Sequence, residues 1–586
     1  MLFAKNVKMK TKTGIADLTK ADGSTASSSR EKADVLNNFF SSVFTVEDRS
    51  SIPHFPRALY DKPLLDLTIT IEQLKTKLCK LNPNKATGPD NIPPRLLKEL
   101  AEVLSEPISI IMNKSLQEGR LPTIWKKAHV VPIFKKGKKN IAGNYRPVSL
   151  TSVTCKVMEG LVREKLIDHF NINNLITDSQ HGFVGGRSCS TNLLAVLDVW
   201  TEVLEEDGFI DTIYLDFAKA FDTVPHERLL HKLDGLGIQG KLLAWIRSFL
   251  SDRSQKVIID GEESGWKEVV SGIPQGSVLG PMLFICFVND LPDVVKSNVY
   301  IFADDTKLFA KVPDNATVLQ QDLDNLQKWS DKWQLRFNAS KCKVMHVGKQ
   351  TEISNYSMTA NNKTLTLETT QTEKDLGVNV DKDLNFEEHV QIQTKKANKL
   401  LGMIRRTFTC LDKESLPLLY KAIVRPHLEY CNVVWQPRWT KEREAIEAIQ
   451  HRATKLIPSL KDKEYSERLK ALSLPSLYYR RARGDMIECY KYTSGIYNVS
   501  TEFLPLDLNK STRGHSRKLK KIAATKSCRS EFFSRRITNA WNSLPDDVVS
   551  APSLNAFKAR LDKTWTTFHY CMDSEWYKNP NLFKKI

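Results

Sequence analysis

No stretch of this chain is apolar for long enough to sit in a bilayer. The longest such run, Pro281 to Val288, has eight residues, against the ~18 that a membrane span requires. The first twelve residues alternate lysine with small apolar side chains and lack the apolar core and cleavage site of a secretory leader. Secretion and membrane insertion are therefore not expected. The ten cysteines stand singly, with no Cys-x-x-Cys pair, which excludes a zinc ribbon or zinc knuckle and suits reduced intracellular thiols. No fixed-period repeat is found, so a solenoid is excluded as well. Acids are outnumbered, 68 against 86 Lys and Arg, which leaves a formal charge of +18.

What is present is globular in balance, with 41% hydrophobic and 26% charged residues. At 586 residues there is room for roughly four domains of ~150 residues. Such a basic chain usually meets a polyanion, and charge alone does not choose between nucleic acid and an anionic membrane. The excess is local. Lys126 to Lys139 holds six lysines and no acid, and Lys510 to Arg536 holds ten Lys and Arg against Glu531, half of the net charge. Each is either a solvated face or a contact for phosphate, and two in one chain favour phosphate.

Residues 14–30 are small and polar and read as flexible, and 49–68, with three prolines, as a linker. The expected division is a lead-in and linker over 1–68, an N-terminal extension over 69–119, a mixed segment over 120–380, a helical module over 381–475 and a basic region over 476–586. The periodicity predicts helices at 31–45, 70–80, 94–104, 105–118, 151–170, 189–205, 225–235, 240–251 and 315–336. Strands are predicted at 128–134, 211–216 and 343–347, with a hairpin over 298–312. Helical stripes follow at 386–408, 413–425, 440–456 and 476–492, and no strand is predicted after about 385. The fold class is α+β.

Three acids stand at strand ends. Ile213-Tyr214-Leu215-Asp216 is a buried-type strand closing on an acid, and Asp304-Asp305 lies at the turn between two apolar strands. A lone Asp-Asp pair also suits a type I′ hairpin turn. That explanation leaves the third acid and the flanking apolar strands without a reason. Clustered carboxylates repel unless a cation intervenes, and Mg²⁺ prefers such hard oxygen ligands, with Mn²⁺ as a substitute.

These segments resemble motifs A, B and C of reverse transcriptases. They read Tyr214-Leu215-Asp216-Phe217-Ala218-Lys219-Ala220-Phe221-Asp222, Gly272-Ile273-Pro274-Gln275-Gly276-Ser277 and Phe302-Ala303-Asp304-Asp305. With Asn144-Tyr145-Arg146-Pro147 and Gln180-His181-Gly182-Phe183 ahead of them, the resemblance is to non-LTR, LINE-type retrotransposon polymerases of the jockey-like group. It implies a right-hand polymerase, with fingers and an antiparallel-sheet palm over 120–380, a helical thumb over 381–475 and a basic C-terminal region. The implied reaction is RNA-templated DNA synthesis by two-metal nucleotidyl transfer. Its partners would be an RNA template, a DNA primer or nicked target DNA, and dNTPs, in a ribonucleoprotein of the nucleus and cytoplasm. The resemblance also implies an N-terminal endonuclease, for which no room is found before residue 115.

Roles follow from the resemblance residue by residue. Asp216, Asp304 and Asp305 would hold the metals, joined by the backbone carbonyl of Phe217. Phe221 stands at the position that crowds a ribose 2′-OH, although an aromatic there also suits a core. Gln275 and Gly276 would line the incoming nucleotide, with Gly272, Gly276 and Gly280 letting the backbone come close to it. Arg146 and one of Lys135 and Lys136 would grip the triphosphate. Lys341, after Asn338, would protonate the pyrophosphate. Lys395, Lys396, Lys399, Arg405 and Arg406 would follow the template–primer backbone. Arg187 is expected near template or nucleotide, Asp222 to accept backbone hydrogen bonds, and Trp329 and Trp333 to pack in a core. Two alternatives stay open. One is an RNA-directed RNA polymerase, which often carries a second acid about five residues after the first. The other is a catalytically silent remnant that binds RNA or chromatin.

Overall fold

Ser28 starts the first helix, Ser29–Ser42, by accepting the Glu31 N–H while Glu31 reaches back to the Ser28 backbone, so that two orphan amides are satisfied at once. The computed structural model describes residues 14–350, 353–360, 363–507, 514–573 and 576, and the residues expected to open the chain with alternating lysines (1–12) lie outside them. The described chain mixes helices with sheets and falls into two compact units. One comprises the described residues of 1–177, 217–294 and 325–338, and the other those of 178–216, 295–324 and 339–586.

In the first unit the strand Lys127–Phe134 pairs antiparallel with Tyr145–Leu150 and parallel with Arg253–Ile259, and short strands at 262–263 and 267–269 extend that sheet. The reading of 14–30 as flexible is corrected. Leu18–Thr19 pairs with Thr25–Ala26, and Leu18 and Ala26 are fully buried against Leu36, Phe40 and Val130. A segment with so few apolar residues shows no period, yet two well-placed ones suffice to seat it. Residues 49–68 are irregular but not a free tether. Arg228 donates to the carbonyls of Asp48 and Ser51, and the Phe55 ring meets Trp333 edge-on at 6.0 Å.

The second unit is built on a five-stranded sheet in the order Glu368–Thr369, Lys343–Val347, Phe209–Leu215, Asp305–Val312, Asn298–Phe302. Its central strand, Phe209–Leu215, is antiparallel to both neighbours. Two further hairpins, Ser357–Ala360 with Lys363–Thr366 and Thr372–Asp375 with Val378–Asp381, were not predicted. Lys363–Thr366 is exposed throughout, and the apolar alternation of Val378–Asp381 rests on two side chains, Val378 and Val380. Among the described residues no strand follows Asp381, and helices at Glu387–Thr407, Thr440–Thr454 and Leu477–Thr493 fall where the stripes predicted them. One hydrophobic core runs from Leu193 through Leu401, Leu474 and Leu477 to Trp541 and Trp565. The packing thus continues across the expected boundary at 475–476. No helix among the described residues is long and apolar enough to cross a membrane.

Candidate active site

Strand register builds the acid cluster of the second unit. Leu215 lies opposite Thr306, so Asp216, one residue on, comes beside the start of the strand that opens with Asp305. Phe302 pairs with Asp305, which makes the connection a two-residue turn of Ala303 and Asp304. The tip is therefore Ala303-Asp304, and not the expected Asp304-Asp305. Ala303 has φ +58° and Asp304 is not in the left-handed region, so the turn differs from type I′, which needs both. Holding a non-glycine residue there costs about 1–3 kcal/mol, and the surroundings must supply it.

Gln180 is bonded to this turn. Its Oε1 accepts the N–H groups of Ala303 at 2.9 Å and Gly182 at 2.7 Å. Two donors on one atom identify that atom as oxygen. Residue 180 forms a parallel bridge with Ile301, whose N–H donates to Ser179 O and whose carbonyl accepts from His181 N–H, each at 2.8 Å. A Cβ on Gly182 would stand 2.4 Å from the Ala303 nitrogen, so only glycine fits beneath the turn. The motif itself assigns Gln180 and Gly182 no role, because local pattern does not say which strand a segment will flank.

The electrostatics are those of a crowded set of acids. The Asp305 carboxyl is pushed up to about 6, first by the protein around it and then by the charges of Asp304, Asp375 and Asp216, with Lys307 opposing. Because its side chain keeps an opening to water, the like charges are the firmer cause. Lys307 is buried in an ion pair with Asp375, a partnership the sequence reading missed. Lys341 Nζ lies 2.8 Å from Asp216 Oδ2, with side chains 55% and 42% exposed. Such an open pair contributes about 0–1 kcal/mol and is readily displaced.

The donor set, three carboxylates whose charges oppose one another, has the chemistry of a hard divalent-cation site. Among the described residues, however, no group of three or more His, Cys, Asp or Glu converges closely enough to hold a metal as it stands. The acids are neighbours by register, and a bound cation would have to draw them together.

The first unit carries the other residues expected at the site. Phe217 stacks on Phe337 at 4.4 Å. Phe221 is half-buried and stacks on Phe284, 4.6 Å away on the helix Gly280–Val288 that follows motif B. Ile273 N–H donates to Phe221 O at 2.7 Å. Gln275 Nε2 donates to Asp222 Oδ1 at 2.7 Å, so the partner of Asp222 is a side chain where backbone was expected. Burial raises the Asp222 carboxyl, and the Gln275 contact opposes that. The close approach that Gly276 allows is to protein: at φ +111° its Cβ would stand 2.7 Å from Ser149 O.

On the ribbon ahead of these, Arg146 pairs with Ile133 and Lys135 N–H donates to Asn144 O at 2.8 Å. Cross-strand partners share a face and alternate residues return to it. Lys135, held by that bond, therefore lies on the face of Arg146, with Phe134 and Tyr145 on the other. Lys135, Lys136 and Arg146 are all exposed.

Elsewhere, Lys395, Lys396, Lys399, Arg405 and Arg406 are exposed on the helix Glu387–Thr407, whose buried residues include Val390, Ala397, Leu401 and Ile404. At 3.6 residues per turn Lys395, Lys399 and Arg406 fall within roughly 40° of one another, opposite the buried side. Arg187 turns inward. It donates to the carbonyls of Asp178, Gln180 and Asn498 and pairs with Asp178, with its side chain 5% exposed. Trp329 and Trp333 are core residues, as expected, and Trp333 lies 3.8 Å from the Lys232 ammonium.

The stretch 510–536 is corrected in part. Arg536 is buried in an ion pair with Asp485, Arg529 with Asp198, and Lys526 pairs with Asp207. Phe532 and Phe533 belong to the core. Lys510 and Arg513 lie outside the described residues.

Residues 133–403 match the reverse transcriptase (RNA-dependent DNA polymerase) family. This part of the chain is a reverse transcriptase domain. The chain is also a homologue of non-LTR mobile-element polymerases. It is 31% identical over 380 residues to the RNA-directed DNA polymerase from mobile element jockey of Drosophila melanogaster, covering 62% of this chain and 41% of that protein. To the jockey polymerase of Drosophila funebris it is 30% identical over 432 residues, 70% of this chain and 46% of the relative. A probable RNA-directed DNA polymerase from transposon BS of Drosophila melanogaster matches at 26% identity over 74% of this chain and 50% of its own length. The chain thus spans half or less of the length of these relatives.

Proposed function

We propose that this chain is an RNA-directed DNA polymerase of a non-LTR retrotransposon, extending a DNA 3′-end with dNTPs on an RNA template and releasing pyrophosphate. The observation that carries the reading is the register that brings Asp216 beside Asp305, with Asp304 on the turn between the paired strands. Asp216, Asp304 and Asp305 are the residues that would hold two divalent cations, Mg²⁺ or Mn²⁺, with the carbonyl of Phe217. When bound, such cations supply activation of the 3′-hydroxyl and neutralisation of the leaving pyrophosphate.

The remaining steps belong to the chain's own side chains. Arg146 grips the triphosphate as a fork and Lys135 adds a point charge on the same face. The register favours Lys135 over Lys136 for this role. Phe221, fixed by its stacking on Phe284, closes the space a ribose 2′-OH would need. Gln275 and Gly276 form the floor under the nucleotide. Lys341, drawn off Asp216, delivers a proton to the pyrophosphate. Lys395, Lys399 and Arg406, flanked by Lys396 and Arg405, track the backbone of the template–primer duplex. In this reading 120–380 is fingers and palm and the helix Glu387–Thr407 opens the thumb.

RNA-directed RNA polymerases often use a second acid to read the 2′-OH. The candidate, Asp222, is half-buried and engaged by Gln275, which favours the DNA polymerase. Asp304→Asn tests the reading on a primed RNA template with dNTPs and Mg²⁺. The expected outcome is loss of extension with RNA binding intact, and a variant that extends at the wild-type rate would refute it.

A further inference from the structure

We propose that Gln180 is a positioning residue that sets the conformation of the Ala303-Asp304 turn and so the placement of Asp304 in the acid cluster. The inference rests on the polymerase reading above and assigns a residue to which that reading gives no role. Three observations carry it. Ala303 is held at φ +58°, a conformation an alanine does not keep unaided. The N–H of Ala303 ends on Gln180 Oε1 at 2.9 Å, and the same oxygen takes the Gly182 N–H at 2.7 Å, so one side-chain atom ties the turn to the strap beneath it. The strap is itself fixed. Residues 179–181 flank Ile301 through two backbone hydrogen bonds, and the Arg187 guanidinium donates to Gln180 O at 2.7 Å and to Asn498 O at 3.0 Å.

The chemistry of the site makes the turn sensitive. A carboxylate that must share a cation with Asp216 and Asp305 works only within a narrow placement, and a displacement of about 1 Å in a reacting group costs on the order of 10²-fold in rate. Gln180 is 1% exposed, so it reaches neither substrate nor solvent. Its effect passes through the turn. The buried Nε2 has no hydrogen-bond partner, which leaves the oxygen as the functional end of the side chain.

The test uses the full chain and three variants: Gln180→Met, which keeps length and removes the acceptor; Ala303→Gly, which adopts positive φ without strain; and the two combined. Hydrogen exchange of peptides covering 181–184 and 299–306 reads the clamp without reference to activity. Primer extension on a primed RNA template reads its consequence. The expected results are faster exchange in both peptides of Gln180→Met, a fall in kcat of about 10- to 100-fold with KM for dNTP changed less than about threefold, and recovery of most of the kcat in the double variant. Calorimetric Mn²⁺ binding by the protein without nucleic acid should weaken in Gln180→Met and return in the double variant.

Unchanged exchange in Gln180→Met would overturn the clamp. Faster exchange with unchanged kcat would overturn its positioning role, as would a folded double variant whose kcat does not recover. If the wild-type chain extends no primer, the polymerase reading fails and the positioning claim falls with it.

Discussion

Arg536→Met distinguishes a structural cation from a phosphate-binding one. The guanidinium donates to Asp485 through Nη2 at 2.7 Å and Nε at 3.0 Å, and to the carbonyls of Val433 and Glu531 at 2.8 and 3.0 Å. The two side chains are 1% and 3% exposed. Removing one partner of such a pair leaves an uncompensated buried charge and costs about 3–5 kcal/mol, a large share of the roughly 5–15 kcal/mol that holds a domain together. Removing both should be far milder, because the desolvation penalty disappears with the attraction. Urea melts of Arg536→Met, Asp485→Leu and the double variant therefore form a cycle. Each single substitution lowers the midpoint sharply, and the double variant recovers most of the loss. RNA affinity across a salt series completes the assay. A phosphate contact contributes about 0.9 to the slope of log K against log salt on duplex DNA and about 0.7 on single strands, and Arg536→Met should leave the slope unchanged. A variant of wild-type stability with a slope shallower by that amount would refute the structural assignment.

Phe221→Ala removes the ring stacked on Phe284 and should raise rGTP incorporation relative to dGTP in primer extension, whereas unchanged discrimination would make Phe221 a core residue only. Replacing Lys395, Lys399 and Arg406 together by glutamine should flatten the salt slope of duplex binding by roughly 2.7 units, three contacts at about 0.9 each, and a slope within experimental scatter of wild type would remove that helix from the nucleic-acid path. Glu447→Gln gives a pH test: burial pushes this carboxyl up to about 7, against the bonds it accepts from Tyr465 and the amides of Leu477 and Tyr478. The folded protein then holds a proton that the unfolded chain releases near 4.5, so stability falls as pH rises from about 4.5 to 7, by roughly 3 kcal/mol, and is level above. The glutamine variant should lose that part of the pH dependence, and melts at pH 5 and 8 that differ as much as in wild type would refute it.

Much of the chain was legible because its period is strong. The helix Cys189–Glu205 and the strand Lys343–Val347 lie at the predicted residues, and both are rich in large apolar side chains at regular spacing. The hairpin Leu18–Ala26 and the strands of 357–381 were not legible, since they are seated by one or two side chains each or by none. The acids of the candidate site were legible as a set, for a different reason: a carboxylate after a buried strand is rare enough to need explaining. What local pattern does not carry is partnership. The sequence shows ten basic residues between Lys510 and Arg536, and nothing in their spacing says that Arg529 will meet Asp198, 331 residues away, or that Arg536 will meet Asp485. The same holds at the turn. Gln180 stands in a motif 123 residues before Ala303, and only the pairing of Gln180 with Ile301 turns an unassigned glutamine into an acceptor for the Ala303-Asp304 turn. Charge and motif name the residues able to do chemistry, while the register of the sheet decides which of them are spent on one another and which remain for a substrate.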